Sequence, residues 1–194
     1  MKILLIAVFR IFFALFYKVD IVNMDNIPKR GAALLCSNHI SQLDMFLIGH
    51  RIPRMVYWMA KEELFRNPVV GAVMRCLGAF PIKRGKGDVG AMKKVYKLLG
   101  KGKIVGIFPE GTRTKGKLKG KIKAKPGNVL IAINSGVPII PVAIAGNYKL
   151  FSRMRLIIGE PIKIETDKNK KYTIEEMSEI SKGIMNKVYL LAEG

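Results

Sequence analysis

Cysteine, histidine and acidic side chains are the scarce components of this 194-residue chain, and each scarcity closes a route. The two cysteines, Cys36 and Cys76, sit in apolar segments far apart and without metal-ligand spacing. That argues against a disulfide framework or a zinc site and fits a reducing compartment. Two histidines, His39 and His50, leave few options for imidazole chemistry. Fourteen Asp+Glu against 34 Lys+Arg give a formal net charge of +20, so the expected partners are polyanionic: nucleic acid, an anionic bilayer, or acidic substrates and carriers. Nucleic acid is disfavoured, because no binding-module signature occurs and aromatics do not interleave with the basic run. No G-x-S-x-G elbow offers a serine nucleophile. Internal repeats and a second domain boundary are also missing, and the length suits one domain with a sizeable core.

The longest apolar run is short as well. Residues 3–17 are broken only by Arg10 and flanked by Lys2 and Lys18. That falls below the roughly 20 residues of a bilayer-spanning helix. The run ends in Phe16-Tyr17-Lys18, not in the small residues of a signal-peptide cleavage site. Its aromatics (Phe9, Phe12, Phe13, Phe16, Tyr17) and its mid-run arginine favour a helix in the membrane interface, with Arg10 and the lysines reaching anionic headgroups. A buried core helix is the alternative. Residues 1–18 are therefore expected as an interface helix and 19–194 as the working domain.

What remains alternates between two periods. Strands are expected over 20–23, 32–36, 55–60, 78–82, 104–108, 139–144 and 156–158. Helices are expected over 42–49, 62–66, 68–77, from an Asp88 cap through Leu99, over 129–133, and from Ile174 with Met177, Ile180, Ile184, Val188 and Leu191 on one face. The alternation predicts a single-domain α/β sandwich around a largely parallel, mixed sheet. Active residues in such folds gather beyond the carboxyl ends of the strands.

Two strand ends carry chemistry. Ser37-Asn38-His39-Ile40-Ser41-Gln42-Leu43-Asp44 follows the 32–36 strand. His39 and Asp44 converge only if His39 lies before the helix and Asp44 in its first turn. Ser41-x-x-Asp44 has the form of a capping box, with Ser41 as N-cap and Asp44 at the third helical position. In the functional reading His39 takes a proton from a hydroxyl while Asp44 holds the ring tautomer; in the plain one, Asp44 only caps and His39 is a core histidine. Phe108-Pro109-Glu110-Gly111-Thr112-Arg113 follows the 104–108 strand. Gly111 permits close backbone approach, Arg113 offers a planar fork for phosphate, and Glu110 is expected to orient a hydroxyl or hold Arg113. A Pro-Gly turn with a surface ion pair is the alternative. Beyond it, lysine occupies each odd position from 115 to 125, read as a basic loop that is either solvated or docks an anion. Lys61 and the Lys83-Arg84 pair stand at two further strand ends.

Four blocks occur in one order: Asn38-His39-x-Ser41-x-x-Asp44, Gly78-x-Phe80-Pro81-Ile82-x-Arg84, Phe108-Pro109-Glu110-Gly111-Thr112-Arg113 and Val137-Pro138-Ile139-Ile140-Pro141-Val142. Over roughly residues 20 to 160 the chain resembles the glycerolipid acyltransferases, most closely the bacterial 1-acyl-glycerol-3-phosphate acyltransferases. The resemblance implies transfer of an acyl group from a thioester, acyl-CoA or acyl carrier protein, to the sn-2 hydroxyl of lysophosphatidic acid. Glycerol-3-phosphate or another lysophospholipid is the alternative acceptor. It implies His39 as general base and Asp44 as its partner. Glu110, Gly111, Thr112 and Arg113 would form the acceptor site, with Arg84 and Lys61 as further phosphate contacts. The second block departs from the family where Lys83 stands in place of the acidic residue found in many members. No metal or resident cofactor is implied, and the expected location is the cytoplasmic face of the membrane.

Overall fold

The computed structural model describes residues 2–83, 87–114, 124–165 and 171–194. Seven strands alternate with helices: β1 (Lys18–Val22), β2 (Ala33–Ser37), β3 (Val56–Lys61), β4 (Phe80–Ile82), β5 (Ile104–Ile107), β6 (Ile139–Gly146) and β7 (Arg153–Ile158). They form one sheet in the order β1-β7-β6-β2-β5-β3-β4, parallel throughout except between β6 and β7. The unbroken apolar runs take the centre. β2 and β5 are buried at every position, as strands covered on both faces must be, whereas edge strand β1 is exposed at every second residue.

Helices α1 (Lys2–Phe16), α2 (Asp44–Arg51) and α3 (Pro68–Cys76) cover one face, and α4 (Val89–Gly100), α5 (Gly127–Ser135) and α6 (Ile174–Glu193) the other. The period of two divides β2 between the layers. Leu35 joins Phe13, Leu47, Ile48, Trp58 and Met74 on the first face; Leu34 and Cys36 join Val95, Leu99, Val129 and Ile184 on the second. Capping residues set the starts: Asn67 before Pro68, Asp88 for α4, and a full capping box of Thr173 and Glu176 for α6.

The expected α/β sandwich and its largely parallel sheet are observed, with most element ends within two residues of expectation. Two departures have physical causes. The 62–66 helix is a 3-10 turn over Glu62–Phe65, because Pro68 opens its own helix directly after. The second helix starts at Asp44, not Gln42, and Ser41 is not its N-cap: Leu43 holds that position with helical dihedrals. The Ser41 hydroxyl accepts from Leu43 N–H at 3.2 Å, and Asp44 N–H donates instead to the Ser41 carbonyl at 3.3 Å, so the capping-box bond is not made.

Helix α1 is packed on one side only. Phe13 is fully buried, and Phe9 stacks on Phe46 of α2 with ring centroids 4.6 Å apart. Arg10 Nε donates to the His50 carbonyl at 3.4 Å. Leu4, Val8, Ile11 and Leu15 remain more than half exposed. Among the described residues no helix is long and apolar enough to cross a membrane. His50 is a core residue: its ring stacks on Phe13, its Nδ1–H donates to the Phe46 carbonyl at 2.8 Å, and burial pushes its pKa down to about 4.

One glycine fixes the packing beneath the sheet's carboxyl edge. Gly106 of β5 pairs with Trp58 of β3, and a Cβ there would lie 2.6 Å from the indole. Gly106→Ala is expected to lower stability by about 1–3 kcal/mol in urea unfolding. The loss should shrink when Trp58→Leu removes the opposing ring. An equal loss in both backgrounds would show that the ring is not what excludes the methyl group.

Candidate active site

β2 and β5 are parallel neighbours, with Cys36 opposite Ile107. Their carboxyl ends lie side by side, and this brings His39 and the 108–114 loop together across a sequence separation of about 70 residues. At the turn out of β2, the Asn38 side chain accepts from Ile144 N–H at 2.8 Å and donates to Ile144 O at 2.9 Å. The amide thus extends the β2–β6 ladder by one rung while the backbone leaves it.

His39 and Asp44 meet. His39 Nδ1 lies 2.8 Å from Asp44 Oδ2, with the aspartate side chain fully buried and the imidazole 14% exposed. Oδ2 also accepts from Ile40 N–H at 2.7 Å and Ser41 N–H at 2.8 Å, and Oδ1 from the Tyr148 hydroxyl at 2.8 Å. Surrounded by donors, the carboxylate acts only as an acceptor. Nδ1 therefore carries the hydrogen, and Nε2 keeps its lone pair. Burial, reinforced by the Asp44 charge, raises the Tyr148 pKa, so the phenol stays a donor.

The ring's plane is set from the other side. His39 stacks on Phe108 at 4.1 Å, and Phe108 on Trp58 at 4.9 Å, both within 14° of parallel. His39, Phe46, Trp58, Leu64, Val70, Met74 and Phe108 border a largely apolar cavity of about 190 Å³. Across Phe108 lies a second cavity, of about 210 Å³, with Lys83, Gly111, Lys125 and Asn128 in its wall.

Glu110 is buried but does not hold Arg113. One oxygen accepts from His39 N–H at 3.2 Å and the other from the Tyr189 hydroxyl of α6. Gly111 has φ +70°, and the Lys125 side chain packs so close that a Cβ would come within 2.9 Å of it. Thr112 and Arg113 are exposed on the same loop. Thr114 closes the loop: its N–H and hydroxyl donate to the His39 carbonyl at 2.8 and 3.2 Å. Lys61 stands at the end of β3, in the wall of the apolar cavity and 3.0 Å from Glu63. Arg84 and the lysines of 115–123 lie outside the described residues. Cys36 points into the core beside Asn128, and burial pushes its thiol up to about 12, which removes it as a nucleophile.

Sequence reasoning did not find Tyr148, Tyr189 or Thr114. The first two arrive from the β6–β7 turn and the last helix, and no local spacing relates them to His39. Thr114 adjoins a recognised block, and its position one residue past Arg113 was the available signal.

Comparison with known proteins finds similar chains over most of this length. The family model described as Acyltransferase matches residues 18–145. The chain is 36% identical over 150 residues to a 1-acyl-sn-glycerol-3-phosphate acyltransferase of Bacillus subtilis, covering 74% of this chain and 73% of that protein. It is 32% identical to the chloroplastic 1-acyl-sn-glycerol-3-phosphate acyltransferase BAT2 of Brassica napus, covering 76% of this chain but only 46% of that longer protein. The crystal structure of the 1-acyl-sn-glycerophosphate acyltransferase PlsC from Thermotoga maritima superposes with a TM-score of 0.73 at 26% identity, covering 99% of this chain and 78% of that one.

Burial pushes the Glu110 carboxyl from 4.5 up to about 7, with the Asp44 charge adding to the rise and the bonds from Tyr189 and His39 N–H opposing it. Between those values the folded protein holds a proton that the unfolded chain has released. This contribution to stability is complete below pH 4.5, and it is lost as pH rises through about 7. Urea unfolding is expected to register a loss of about 2–3 kcal/mol across that window. Glu110→Gln, which copies the protonated form, should flatten it. A slope that survives in the glutamine variant would assign the titration to another group.

Proposed function

The chain belongs to the acyltransferase family and is an O-acyltransferase, and from the geometry of its site we propose that it transfers a fatty acyl group from a thioester to the sn-2 hydroxyl of 1-acyl-glycerol-3-phosphate, giving phosphatidic acid. The observation that carries the mechanism is the His39–Asp44 contact of 2.8 Å, made through Nδ1 at the rim of an apolar cavity that His39 itself lines. The names of the relatives support the acceptor.

Chemically, His39 Nε2 removes the hydroxyl proton as the oxygen attacks the thioester carbonyl, forming the C–O bond. The tetrahedral intermediate collapses, the C–S bond breaks, and the imidazolium returns its proton to the leaving thiolate. Asp44 stabilises the transient imidazolium and keeps the ring from rotating, as the orienting carboxylate of a triad does. No acyl-enzyme is needed, and the buried Cys36 is in no position to form one. The apolar cavity suits a hydrocarbon chain, and the exposed Arg113 suits the acceptor phosphate. Lys61 and Arg84 are the candidates for further phosphate contacts. The donor is acyl-CoA or acyl carrier protein, both anionic partners for a chain of net charge +20. The working location is the cytoplasmic face of the membrane; the exposed apolar side of α1 supports the membrane contact.

Purified protein given lysophosphatidic acid and each donor in turn tests the reaction, and absence of phosphatidic acid with both would refute it. His39→Ala is expected to lower kcat about 10³-fold in a protein that still folds, with some loss of thermal stability because the buried Asp44 loses one of its donors. Near-normal turnover in that variant would remove His39 as the base. Arg113→Ala is expected to raise KM for the phospho-acceptor about tenfold and to leave KM for the thioester unaltered. Equal changes in the two constants would argue against a phosphate contact.

A further inference from the structure

The turn between β6 and β7 points two large apolar side chains at solvent. Leu150 is 63% exposed and Phe151 70%. Phe151 has φ +62°, a conformation that costs a bulky residue energy and persists only where the surroundings enforce it. They do enforce it. Phe151 N–H donates to Phe16 O at 2.7 Å, Ser152 N–H to Lys149 O at 3.1 Å, and Lys149 N–H to Asn147 Oδ1 at 3.0 Å. Lys18 N–H, the first of β1, donates to Ser152 O at 3.1 Å. The result is a braced knuckle, held so that its hydrophobic side chains stay outside the core.

The knuckle continues the open side of α1. At about 100° per residue, Leu4, Val8, Ile11 and Leu15 fall within an arc of about 60°, and Phe12 and Phe16 come next around the helix. The Phe16 ring lies 6.3 Å from that of Phe151. Exposed basic residues surround the junction: Lys18, Lys149 and Arg153. Asp20, the acidic residue on the same face of β1, stands two register pairs further on, opposite Arg155. Topology fixes the direction. β6 ends and β7 and β1 begin at the carboxyl edge of the sheet, the edge that carries His39 and the 108–114 loop.

We propose that Leu150 and Phe151 form a second membrane-inserting element, which with α1 seats the carboxyl edge of the sheet on an anionic lipid surface. A contiguous apolar patch rimmed by cations is the form of surface that such a bilayer binds. The inference rests on the reading that the acceptor is a membrane lipid. Its consequence is that α1 alone does not set the orientation. The same turn also sends Tyr148 inward to Asp44, so the lipid contact lies two and three residues from a group that positions the dyad.

Phe151→Trp provides the direct probe, because the one native tryptophan, Trp58, is 1% exposed. Adding phosphatidylcholine vesicles that contain phosphatidylglycerol should shift the new emission to the blue, and brominated acyl chains should quench it. Leu150→Ser with Phe151→Asn removes the apolar surface while easing the backbone, since asparagine adopts the left-handed conformation more readily. This variant should bind the vesicles about tenfold more weakly or worse, keep its thermal midpoint, and retain turnover on a short-chain monomeric lysophosphatidate. Unshifted emission from the introduced indole on vesicle-bound protein would overturn the proposal, as would unchanged affinity in the double variant. So would a concentration-dependent dimer that the double variant abolishes, which would assign the patch to a second copy of the chain. Protein that fails to acylate lysophosphatidate in detergent, while the Phe151→Trp probe still enters the bilayer, would refute the proposed reaction and leave the membrane contact standing.

Discussion

The carboxyl edge of the sheet depends on one buried carboxylate. Asp44 has no exposed side-chain surface, and a charge in that position is tolerable only if its lone pairs are met. Four donors meet them: the His39 ring, the backbone N–H groups of Ile40 and Ser41, and the Tyr148 hydroxyl. The backbone between His39 and Asp44 must curl around the carboxylate for two of those bonds to form, and the same curl returns the imidazole to it. Burying the aspartate and assembling the dyad are thus one event.

A second constraint acts on His39 from the neighbouring strand. Its N–H donates to Glu110 and its carbonyl accepts from Thr114, so the 108–114 loop holds both backbone polar groups. Asp44 holds Nδ1, and Phe108, backed by Trp58, holds the ring face. Nε2 is the remaining polar atom of the residue, and it is the one needed for proton transfer. Such restraint lowers the entropic cost of reaching a reactive arrangement. The small side of the arrangement is Gly106: a side chain there would displace Trp58, and through it Phe108 and the imidazole.

Much of this was legible in the sequence because it is local. Apolar runs and turn residues marked the strands, and the two chemistry-bearing blocks followed strand ends where an α/β fold collects its active residues. The parts that were not legible depend on distant segments or on competition for one donor. Tyr148 and Tyr189 reach the site from 104 and 79 residues beyond their partners, Asp44 and Glu110. The capping box at Ser41 misleads because its two halves are separable. The carboxylate does reach back to Ser41 N–H, but the hydroxyl bonds to Leu43, and the helix begins at Asp44. Spacing alone pairs Glu110 with Arg113, whereas burial turns the carboxyl inward to the His39 backbone and leaves the arginine in solvent.

Phe108 also divides the space around the site. On its α1–α3 side the cavity is largely apolar, bordered by Phe46, Leu64, Val70 and Met74 with Lys61 in its wall; on the other, Lys83 and Lys125 stand among Met59, Ile82 and Ile107. Each cavity thus joins an apolar lining to lysine, a combination suited to molecules with a hydrocarbon chain and an anionic end. His39 lines the first cavity, and Pro109 and Gly111 line the second. Phe108, which supports the imidazole, lines both. The first cavity also borders the surface: Phe46 in its wall stacks on Phe9, whose helix turns Leu4, Val8, Ile11 and Leu15 outward. The stacked pair Phe46 and Phe9 therefore links the wall of the cavity to the apolar exterior of α1, so the packing that shapes the site and the packing that seats the first helix are one.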